Sequence, residues 1–145
     1  MIIISSGYFD PVHVGHLEHF SLARKMGDKL IVILNNDKQA ILKKGRFFMP
    51  EKERKVILEY LKPVDEVFLS IDEDLTVCKS IEYIAKTYPN SEIIFVKGGD
   101  RKISEIPEKF ICEKYRIKII DGVGTSYLNI HSSKITGIKE IKNGS

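Results

Sequence analysis

The chain has 145 residues, enough for one hydrophobic core of ordinary size, and no linker-like segment divides it, so we expect a single domain over residues 1–145. Its composition, 43% hydrophobic and 30% charged, is that of a soluble globular protein, and no segment approaches the ~20 apolar residues of a membrane span. The net charge of +3 is too small to indicate nucleic-acid binding by itself.

The amino terminus and the cysteines both favour a reduced, cytoplasmic protein. The first apolar run ends at Ile4 and shows neither the basic segment nor the long apolar stretch of a secretory signal. Cys78 and Cys112 are far apart in the sequence and lack the paired spacing of a metal site. We therefore expect reduced, mostly buried thiols rather than a disulfide.

Short apolar runs alternate with segments of helical spacing along the chain. The first strand begins at Ile2, where three isoleucines in a row indicate burial on both faces, and further strands are predicted at 30–35, 66–69, 93–96 and 117–120. Helices are predicted at 17–26, 51–61, from 78 to a close near 88–90, and at 108–115, with a short amphipathic piece at 40–42 and a last helix near residue 131. The buried stripe of the helix at 51–61 is predicted to be Val56, Ile57, Tyr60 and Leu61.

This alternation predicts the fold class. Strand, helix and strand of these lengths form right-handed β-α-β units with parallel strands. We predict an α/β protein: a single doubly wound, Rossmann-like domain with a five-stranded, mostly parallel sheet. In such folds ligands bind beyond the carboxyl ends of the strands.

The turn after the first strand, residues 7–16, is called the histidine loop below. Gly7 permits close backbone approach, Asp10-Pro11 biases the chain toward an extended turn, and His13 and His16 precede a helix. A helix N-terminus offers unpaired N–H groups and partial positive charge, and imidazoles three positions apart can both face a ligand there. The loop therefore predicts an anion site. The alternatives are an H-x-x-H pair that arose by chance and a metal site with the same spacing.

A second concentration of charge lies between residues 38 and 55, where seven basic residues accompany two acidic ones. Such a run is usually a solvated helix face, and Lys38, Lys52 and Lys55 are assigned to it. The other basic residues of the segment are Lys43, Lys44, Arg46 and Arg54. Use of the segment by a nucleic-acid-binding module is the alternative, but interleaved aromatic residues and a recognised motif are lacking.

The order of residues in the histidine loop resembles the G-x-F-D-x-x-H-x-G-H signature of the cytidylyltransferase-like nucleotidyltransferases. The matching residues are Gly7, Phe9, Asp10, His13, Gly15 and His16. The resemblance continues through an N-x-D strand end, a lysine-bearing loop, an E-x-R-x-x-x-L helix and a V-D-E-V segment. These correspond to Asn35 and Asp37, to Lys43 and Lys44, to Glu51 or Glu53 followed by Arg54 and Leu58, and to residues 64–67.

Two further segments carry the resemblance toward the carboxyl end. V-K-G-G-D-R, residues 96–101, is similar to the V-K-G-G-D of heptose-phosphate adenylyltransferases and to the G-D-D turn of glycerol-phosphate cytidylyltransferases. Ser132 and Ser133 match serine/threonine pairs that bind triphosphate oxygens at a helix start. The chain departs from the pattern by lacking the arginine that relatives carry near these serines, and Lys134 is the candidate replacement.

The resemblance implies transfer of a nucleoside monophosphate from ATP or CTP to a phosphorylated sugar or alcohol, with release of pyrophosphate. The catalytic residues it implies are His13, His16, Lys44 and Arg54. Those it implies for nucleotide binding are Gly7, Tyr8, Phe9, Asp10, Gly15, Gly98, Gly99, Asp100, Ser132 and Ser133. Those it implies for substrate binding are Asn35, Asp37, Lys43 and Arg101.

The same resemblance implies the cofactor and the partners. A Mg²⁺ ion bridging the phosphates is expected, without a preformed protein metal site. The expected partners are the triphosphate and the small phosphorylated acceptor, with no nucleic acid and no membrane. The resemblance is also consistent with a homodimer, because relatives are commonly dimers. The alternative function is that of a non-catalytic nucleotide-binding or sensor protein on the same fold.

Overall fold

The computed structural model describes residues 1–98 and 106–123. The predicted last helix near residue 131 lies outside these residues. The described elements, in chain order, are β1 (Ile2–Gly7), α1 (Val14–Lys25), β2 (Lys29–Leu34), α2 (Asp37–Lys44), α3 (Glu51–Glu59), β3 (Glu66–Leu69), α4 (Cys78–Thr87), β4 (Ile93–Val96), α5 (Lys109–Lys114) and β5 (Lys118–Ile120).

The five strands form one parallel sheet in the order β3-β2-β1-β4-β5. β1 lies at the centre, and it is in register with β2 from Ile2–Lys29 to Gly7–Leu34. The chain adds β2 and β3 on one side of β1, and then returns to add β4 and β5 on the other. The predicted α/β fold is confirmed, and the described sheet is wholly parallel. In such sheets the reversal of strand order creates a crevice at the carboxyl ends of the central strands.

Two hydrophobic clusters cover the two faces of the sheet. On one face Ile3 and Val32 belong to a cluster with Phe20 of α1 and Leu58 of α3. On the other face Ile2, Ile4, Ile31 and Ile33 belong to a cluster with residues of α4 and α5. The run of isoleucines in β1 is therefore buried on both faces, as the absence of polar alternation predicted.

The prediction for the buried face of α3 is wrong for three of its four residues. The structure buries Arg54 and Leu58, whereas Val56 and Ile57 are exposed and Tyr60 is 86% exposed. Leu61 does pack against the core. Residues 54 and 58 are one helical turn apart, so they share a face. A charged side chain could take the inner position because carbonyl and carboxylate oxygens surround its guanidinium, as described below.

No helix within the described residues is long and apolar enough to cross a membrane. Cys78 and Cys112 are free thiols, and Cys112 is buried whereas Cys78 is partly buried. Burial raises the pKa of Cys112 to about 12, so its thiol stays protonated near neutral pH.

Candidate functional site

The carboxyl ends of three adjacent strands bring the predicted site segments to one edge of the sheet. β1 leads from Gly7 into the histidine loop, β2 leads from Leu34 to Asn35, and β4 leads from Val96 to Gly98. Because β1 lies between β2 and β4, the histidine loop lies at the centre of this edge. The fold therefore places the loop in the crevice where parallel α/β sheets bind ligands.

Backbone hydrogen bonds orient both imidazoles of the histidine loop. The Gly15 N–H donates to Nδ1 of His13 at 3.1 Å, and the His13 N–H donates to Nδ1 of His16 at 3.1 Å. The two rings stack with their centroids 3.8 Å apart. Because Nδ1 accepts in each ring, each neutral imidazole carries its proton on Nε2 and presents an N–H donor there. The loop thus holds two parallel donors at the start of a helix.

The same contacts cap helix α1 in an unusual manner. His13 is the N-cap residue, and the reciprocal bonds of His13 and His16 form a capping box, a role usually taken by serine or threonine with glutamate or glutamine. The first turn of α1 contains no acidic side chain. The positive end of the helix is therefore not neutralised by its own first turn, which favours an anion beside it.

Phe9 explains why the loop needs Gly7. Phe9 has a positive φ of 48° and is buried, with its ring in edge contact with His16 and Phe20 at centroid distances of 5.0 and 5.1 Å. A Cβ atom on Gly7 would lie 2.8 Å from the Phe9 ring, closer than real contacts allow. Glycine therefore lets the ring fold back over the strand end, where it supports His16 from one side.

Asp10 fastens the histidine loop to the segment before α3. Its two carboxylate oxygens accept hydrogen bonds from the backbone N–H groups of Phe48 and Met49, both at 2.7 Å, and the residue is 4% exposed. Both oxygens are thus engaged by the backbone. In this geometry Asp10 positions the loop, and the nucleotide contact implied by the resemblance stays a prediction.

The buried side chain of Arg54 connects several segments of the protein. Its side chain is fully buried, and Nε donates to the Met49 carbonyl, Nη1 to the carbonyls of Tyr8 and Asn35, and Nη2 to Asp37, all at 2.7–2.8 Å. The guanidinium therefore ties the ends of β1 and β2 to the start of α3. The described hydrogen bonds of Arg54 all go to the protein, so its predicted contact with phosphate stays a prediction.

The segment after β2 is also built from polar contacts within the protein. Asp37 accepts from the Glu51 N–H at 2.7 Å, and Glu51 accepts from the Asp37 N–H at 2.8 Å, so the starts of α2 and α3 fasten each other. The Asn35 amide donates to Gln39 at 3.1 Å, and Asn35 is 4% exposed. The predicted substrate contacts of Asn35 and Asp37 remain predictions, because this structure shows their polar groups bonded to the framework.

Gln39 is a framework residue that sequence reasoning missed. Its side chain amide donates to the carbonyls of Asp74 and Thr76 at 2.8 and 2.9 Å, and Asn36 donates to the carbonyls of Ser70 and Asp72 at 3.0 Å each. These side-chain amides thus bond to backbone carbonyls of the loop between β3 and α4, which has no regular secondary structure to satisfy them. A buried glutamine in a polar helix leaves no periodic signal that could have revealed it.

Lys43 and Lys44, called the lysine pair below, both contact the ring of Tyr8 in the histidine loop. Lys43 and Lys44 end α2, and their ammonium groups lie 5.0 and 5.5 Å from the centroid of the Tyr8 ring. Tyr8 follows the last residue of β1, so the predicted cationic residues do lie beside the predicted anion site.

His19 is a third histidine of the same helix that sequence reasoning did not single out. Its Nδ1 donates to the Val123 carbonyl at 2.8 Å, and its Nε2 lies 2.7 Å from the Ser5 hydroxyl. Because a carbonyl can only accept, Nδ1 carries the proton and Nε2 accepts from Ser5. Burial lowers the pKa of His19, and the positive charge of Lys97 acts in the same direction. His19 is thus a neutral core residue.

Gly98 is the only part of the predicted Gly-Gly-Asp-Arg turn that the structure describes. A Cβ atom on Gly98 would lie 3.4 Å from Nδ1 of His19 and from the Val123 carbonyl, so the glycine permits a tight approach of the β4 end to α1. The predicted site residues Gly99, Asp100, Arg101, Ser132 and Ser133 lie outside the described residues, as does Lys134.

A family model described as cytidylyltransferase-like matches residues 4–137 of this chain. Among curated proteins, the chain is 37% identical over 134 residues to the bifunctional protein HldE of Syntrophotalea carbinolica, covering 89% of this chain and 26% of that protein. It is 40% identical over 82 residues to the FAD synthase of Ferroglobus placidus, covering 57% of this chain and 52% of that protein. The chain thus spans about a quarter to a half of the length of these relatives.

Two solved structures show the same fold at lower identity. A crystal structure of the lipopolysaccharide core biosynthesis protein from Thermoplasma volcanium matches with a TM-score of 0.64 and 24% identity, covering 83% of this chain and 94% of that one. A putative nicotinate-nucleotide adenylyltransferase from Vibrio parahaemolyticus matches with a TM-score of 0.66 and 18% identity, covering 95% of this chain and 82% of that one. At these identities the likeness shows the architecture.

Proposed function

The chain belongs to the cytidylyltransferase-like family, and on this premise we propose that it is a nucleotidyltransferase. It transfers a nucleoside monophosphate from ATP or CTP to the phosphate of a phosphorylated sugar or alcohol and releases pyrophosphate. The observation that carries this proposal is the pair of stacked imidazoles of His13 and His16, each with Nδ1 bonded to a backbone N–H and its proton on Nε2. Two fixed N–H donors at a helix start suit a phosphate.

The chemistry needs positioning more than proton transfer. The nucleophile is an oxygen of the acceptor's phosphate monoester, which is largely dianionic at neutral pH because its second pKa is ~6. That oxygen forms a bond to the α-phosphorus as the bond from the α-phosphorus to the β-bridging oxygen breaks, and pyrophosphate takes the electron pair. No general base is required, so catalysis depends on in-line placement and on stabilising negative charge.

The protein groups at this edge of the sheet fit those requirements. The Nε2–H groups of His13 and His16 and the start of α1 stabilise charge on the α-phosphate and the bridging oxygen. The ammonium groups of Lys43 and Lys44 stabilise charge on the departing pyrophosphate or on the acceptor phosphate. Arg54 supports these groups by fixing the Tyr8 and Asn35 carbonyls, not by touching the substrate.

We propose Mg²⁺ as the cofactor because it accompanies nucleoside triphosphates. Among residues 1–98 and 106–123, no group of three or more histidine, cysteine or carboxylate side chains could hold a metal ion. Magnesium typically keeps several waters and binds through substrate phosphates, so it does not need such a protein cage. The ion would arrive on the triphosphate and neutralise part of its charge.

For the base and the acceptor, the proposal favours ATP and a sugar phosphate. The V-K-G-G-D segment beginning at Val96 is similar to that of heptose-phosphate adenylyltransferases, and the upstream arginine frequent in CTP-using relatives is missing. Adenine and cytosine both present an exocyclic amine beside a ring acceptor, so a backbone-lined pocket would discriminate between them by size.

The test is a matrix of the four nucleoside triphosphates, with Mg²⁺, against phosphorylated sugars, phosphorylated alcohols and flavin mononucleotide, measured as pyrophosphate release. The match to an FAD synthase is the reason to include the flavin. We expect release with ATP and one sugar phosphate. Tighter binding of CTP than of ATP by about tenfold in direct titration would overturn the preference for adenine, since a tenfold ratio corresponds to about 1.4 kcal/mol.

A non-catalytic nucleotide-binding protein on this fold is the alternative, since a fold and a phosphate site do not prove turnover. Such a protein would bind a triphosphate yet release no pyrophosphate with any acceptor. The same matrix, run beside a binding titration, separates the two functions.

A further inference from the structure

Tyr8 occupies a rigid place between the histidine loop and the lysine pair. Tyr8 directly follows β1, and two hydrogen bonds fix the backbone around it. The Gly7 carbonyl accepts from the Asn35 N–H at 2.9 Å, and the Tyr8 carbonyl accepts from Arg54 at 2.8 Å. The ring therefore projects from an anchored backbone at the centre of the sheet edge.

The arrangement of Lys43 and Lys44 around this ring is not a default of helix geometry. Consecutive residues of an α-helix point about 100° apart because the helix has ~3.6 residues per turn, so they do not share a face. Both ammonium groups nevertheless lie within 5.5 Å of one ring centroid. Both side chains contact the Tyr8 ring, and its attraction for cations favours their convergence.

An aromatic face holds an ammonium group without cancelling its charge. The π face attracts the cation and leaves its positive charge in place. Two ammonium groups gathered on one ring beside the stacked imidazoles of the histidine loop form a site suited to an anion with several negative charges.

We infer that Tyr8 is a positioning residue whose ring gathers Lys43 and Lys44 into the site for the triphosphate or the departing pyrophosphate. The inference rests on the proposed function and deepens it by assigning a role to the variable second position of the histidine loop. The aromatic face carries this role, and the hydroxyl does not. Loss of the ring weakens the binding of the phosphates, and it also slows the chemical step where the lysines stabilise charge on the departing pyrophosphate.

The experiment compares Tyr8→Leu, which removes the ring, with Tyr8→Phe, which removes only the hydroxyl. Titration with ATP and with inorganic pyrophosphate, both with Mg²⁺, gives Kd, and pyrophosphate release gives KM and kcat. We expect Tyr8→Leu to raise Kd and KM about tenfold and to lower kcat/KM by at least the same factor, whereas Tyr8→Phe, which keeps the ring, should retain most of the binding. Tyr60→Leu, at an exposed tyrosine of α3, is the matched control.

A second comparison shows whether Tyr8 acts through the lysines. In a Lys43→Ala/Lys44→Ala background, adding Tyr8→Leu is expected to cause no further loss of phosphate binding, whereas independent effects would add. Additive losses, or equal losses in Tyr8→Leu and Tyr8→Phe, would overturn the inference. Tyr8→Met fills similar space without a π face and replaces Tyr8→Leu if that variant fails to fold. Failure of both to fold would count against the inference, because the ring would then serve the fold.

The outcomes also separate this inference from the proposed function. If the wild-type protein binds neither ATP nor pyrophosphate, the proposed function fails. If the wild type binds both and Tyr8→Leu binds them equally well, only the role of Tyr8 fails.

Discussion

The two halves of the candidate site use their polar residues in opposite ways. In the histidine loop, His13 and His16 are half-buried, and each contributes Nδ1 to the backbone while its Nε2–H remains a donor. Between β2 and α3, Asn35 and Arg54 are 4% and 1% exposed and bond mainly to the protein itself. A residue of a ligand-binding signature can therefore serve the ligand or the framework, and its burial and bonded atoms distinguish the two roles.

Arg54→Ala gives the largest effect expected from this contrast. The substitution leaves a cavity, strips Asp37 of its partner at 2.7 Å and leaves three carbonyls without their donor. Removing one member of a fully buried charge pair costs about 3–5 kcal/mol. Because the Asp37 side chain is 24% exposed, we expect a loss near the lower end, about 3 kcal/mol, in the free energy of unfolding, measured by urea denaturation.

The control for this prediction is Lys55→Ala, the next residue of α3, whose exposed ion pair with Glu59 at 3.1 Å should contribute less than about 1 kcal/mol. If Arg54→Ala keeps the stability of the wild type and loses only phosphate binding, the framework role assigned here is wrong and the original phosphate assignment is restored.

His16→Ala probes the other half of the site, where the effect should fall on activity. Removing one preorganised donor from a transition state typically costs ~3 kcal/mol, so turnover should fall about 10²-fold or more. Thermal unfolding should change little beside the effect of Arg54→Ala. Leu17→Ala, at the adjacent and 38% exposed position, is the matched control for helix α1. Unchanged turnover in His16→Ala would remove this imidazole from the mechanism.

Most of the fold could be predicted from the sequence because its signals are local. β3 and β4 were predicted with the bounds that the structure shows, since short apolar runs between turn residues indicate buried strands. The parallel direction of the strands followed from the helical connections between them. Even the position of the histidine loop at the sheet edge could be predicted, because the motif follows a strand and precedes a helix.

Which polar residues of the site are buried among protein groups could not be predicted, because their partners are carbonyls far away in the sequence. Arg54 is buried only because the carbonyls of Tyr8, 46 positions away, and Asn35, 19 positions away, converge on it. A periodic pattern assigns a charged residue to the solvent and apolar Val56 and Tyr60 to the core, the reverse of what the structure shows. The buried amide of Gln39 escaped prediction for the same reason.

Lys44→Ala should have a smaller effect than His16→Ala, and it should fall on the binding of phosphates. A lysine that contacts phosphate contributes a charge-assisted hydrogen bond, so the variant should bind ATP and pyrophosphate about tenfold more weakly. The loss should shrink as salt rises, because the ions screen the remaining attraction. Lys52→Ala is the control, since Lys52 is exposed on α3 and should change binding by less than about twofold. Equal losses in both variants would indicate a general positive field and no specific contact.

The smallest expected effect is that of His19 on the pH dependence of the free energy of unfolding. Measuring it tests whether this histidine of α1 belongs to the framework. Burial lowers its pKa, with Lys97 acting in the same direction and the hydrogen bond to Val123 opposing both. The folded protein therefore binds fewer protons at this ring than the unfolded chain, so the free energy of unfolding should fall as pH drops below the ordinary histidine pKa of ~6.5. The loss should stop growing once the pH is below the folded-state pKa.

Urea denaturation of the wild type and His19→Gln from pH 8 to pH 5 gives the free energy of unfolding of each as a function of pH. The difference between the two profiles is the contribution of His19. Glutamine can bond to Ser5 and Val123 but does not titrate, so His19→Gln should lose less stability than the wild type over the acidic part of the range. Parallel profiles would show that the ring is protonated equally in both states. Because His19 contacts the protein on both nitrogens, the same substitution should leave the KM for the triphosphate nearly unchanged, unlike a change at His13 or His16.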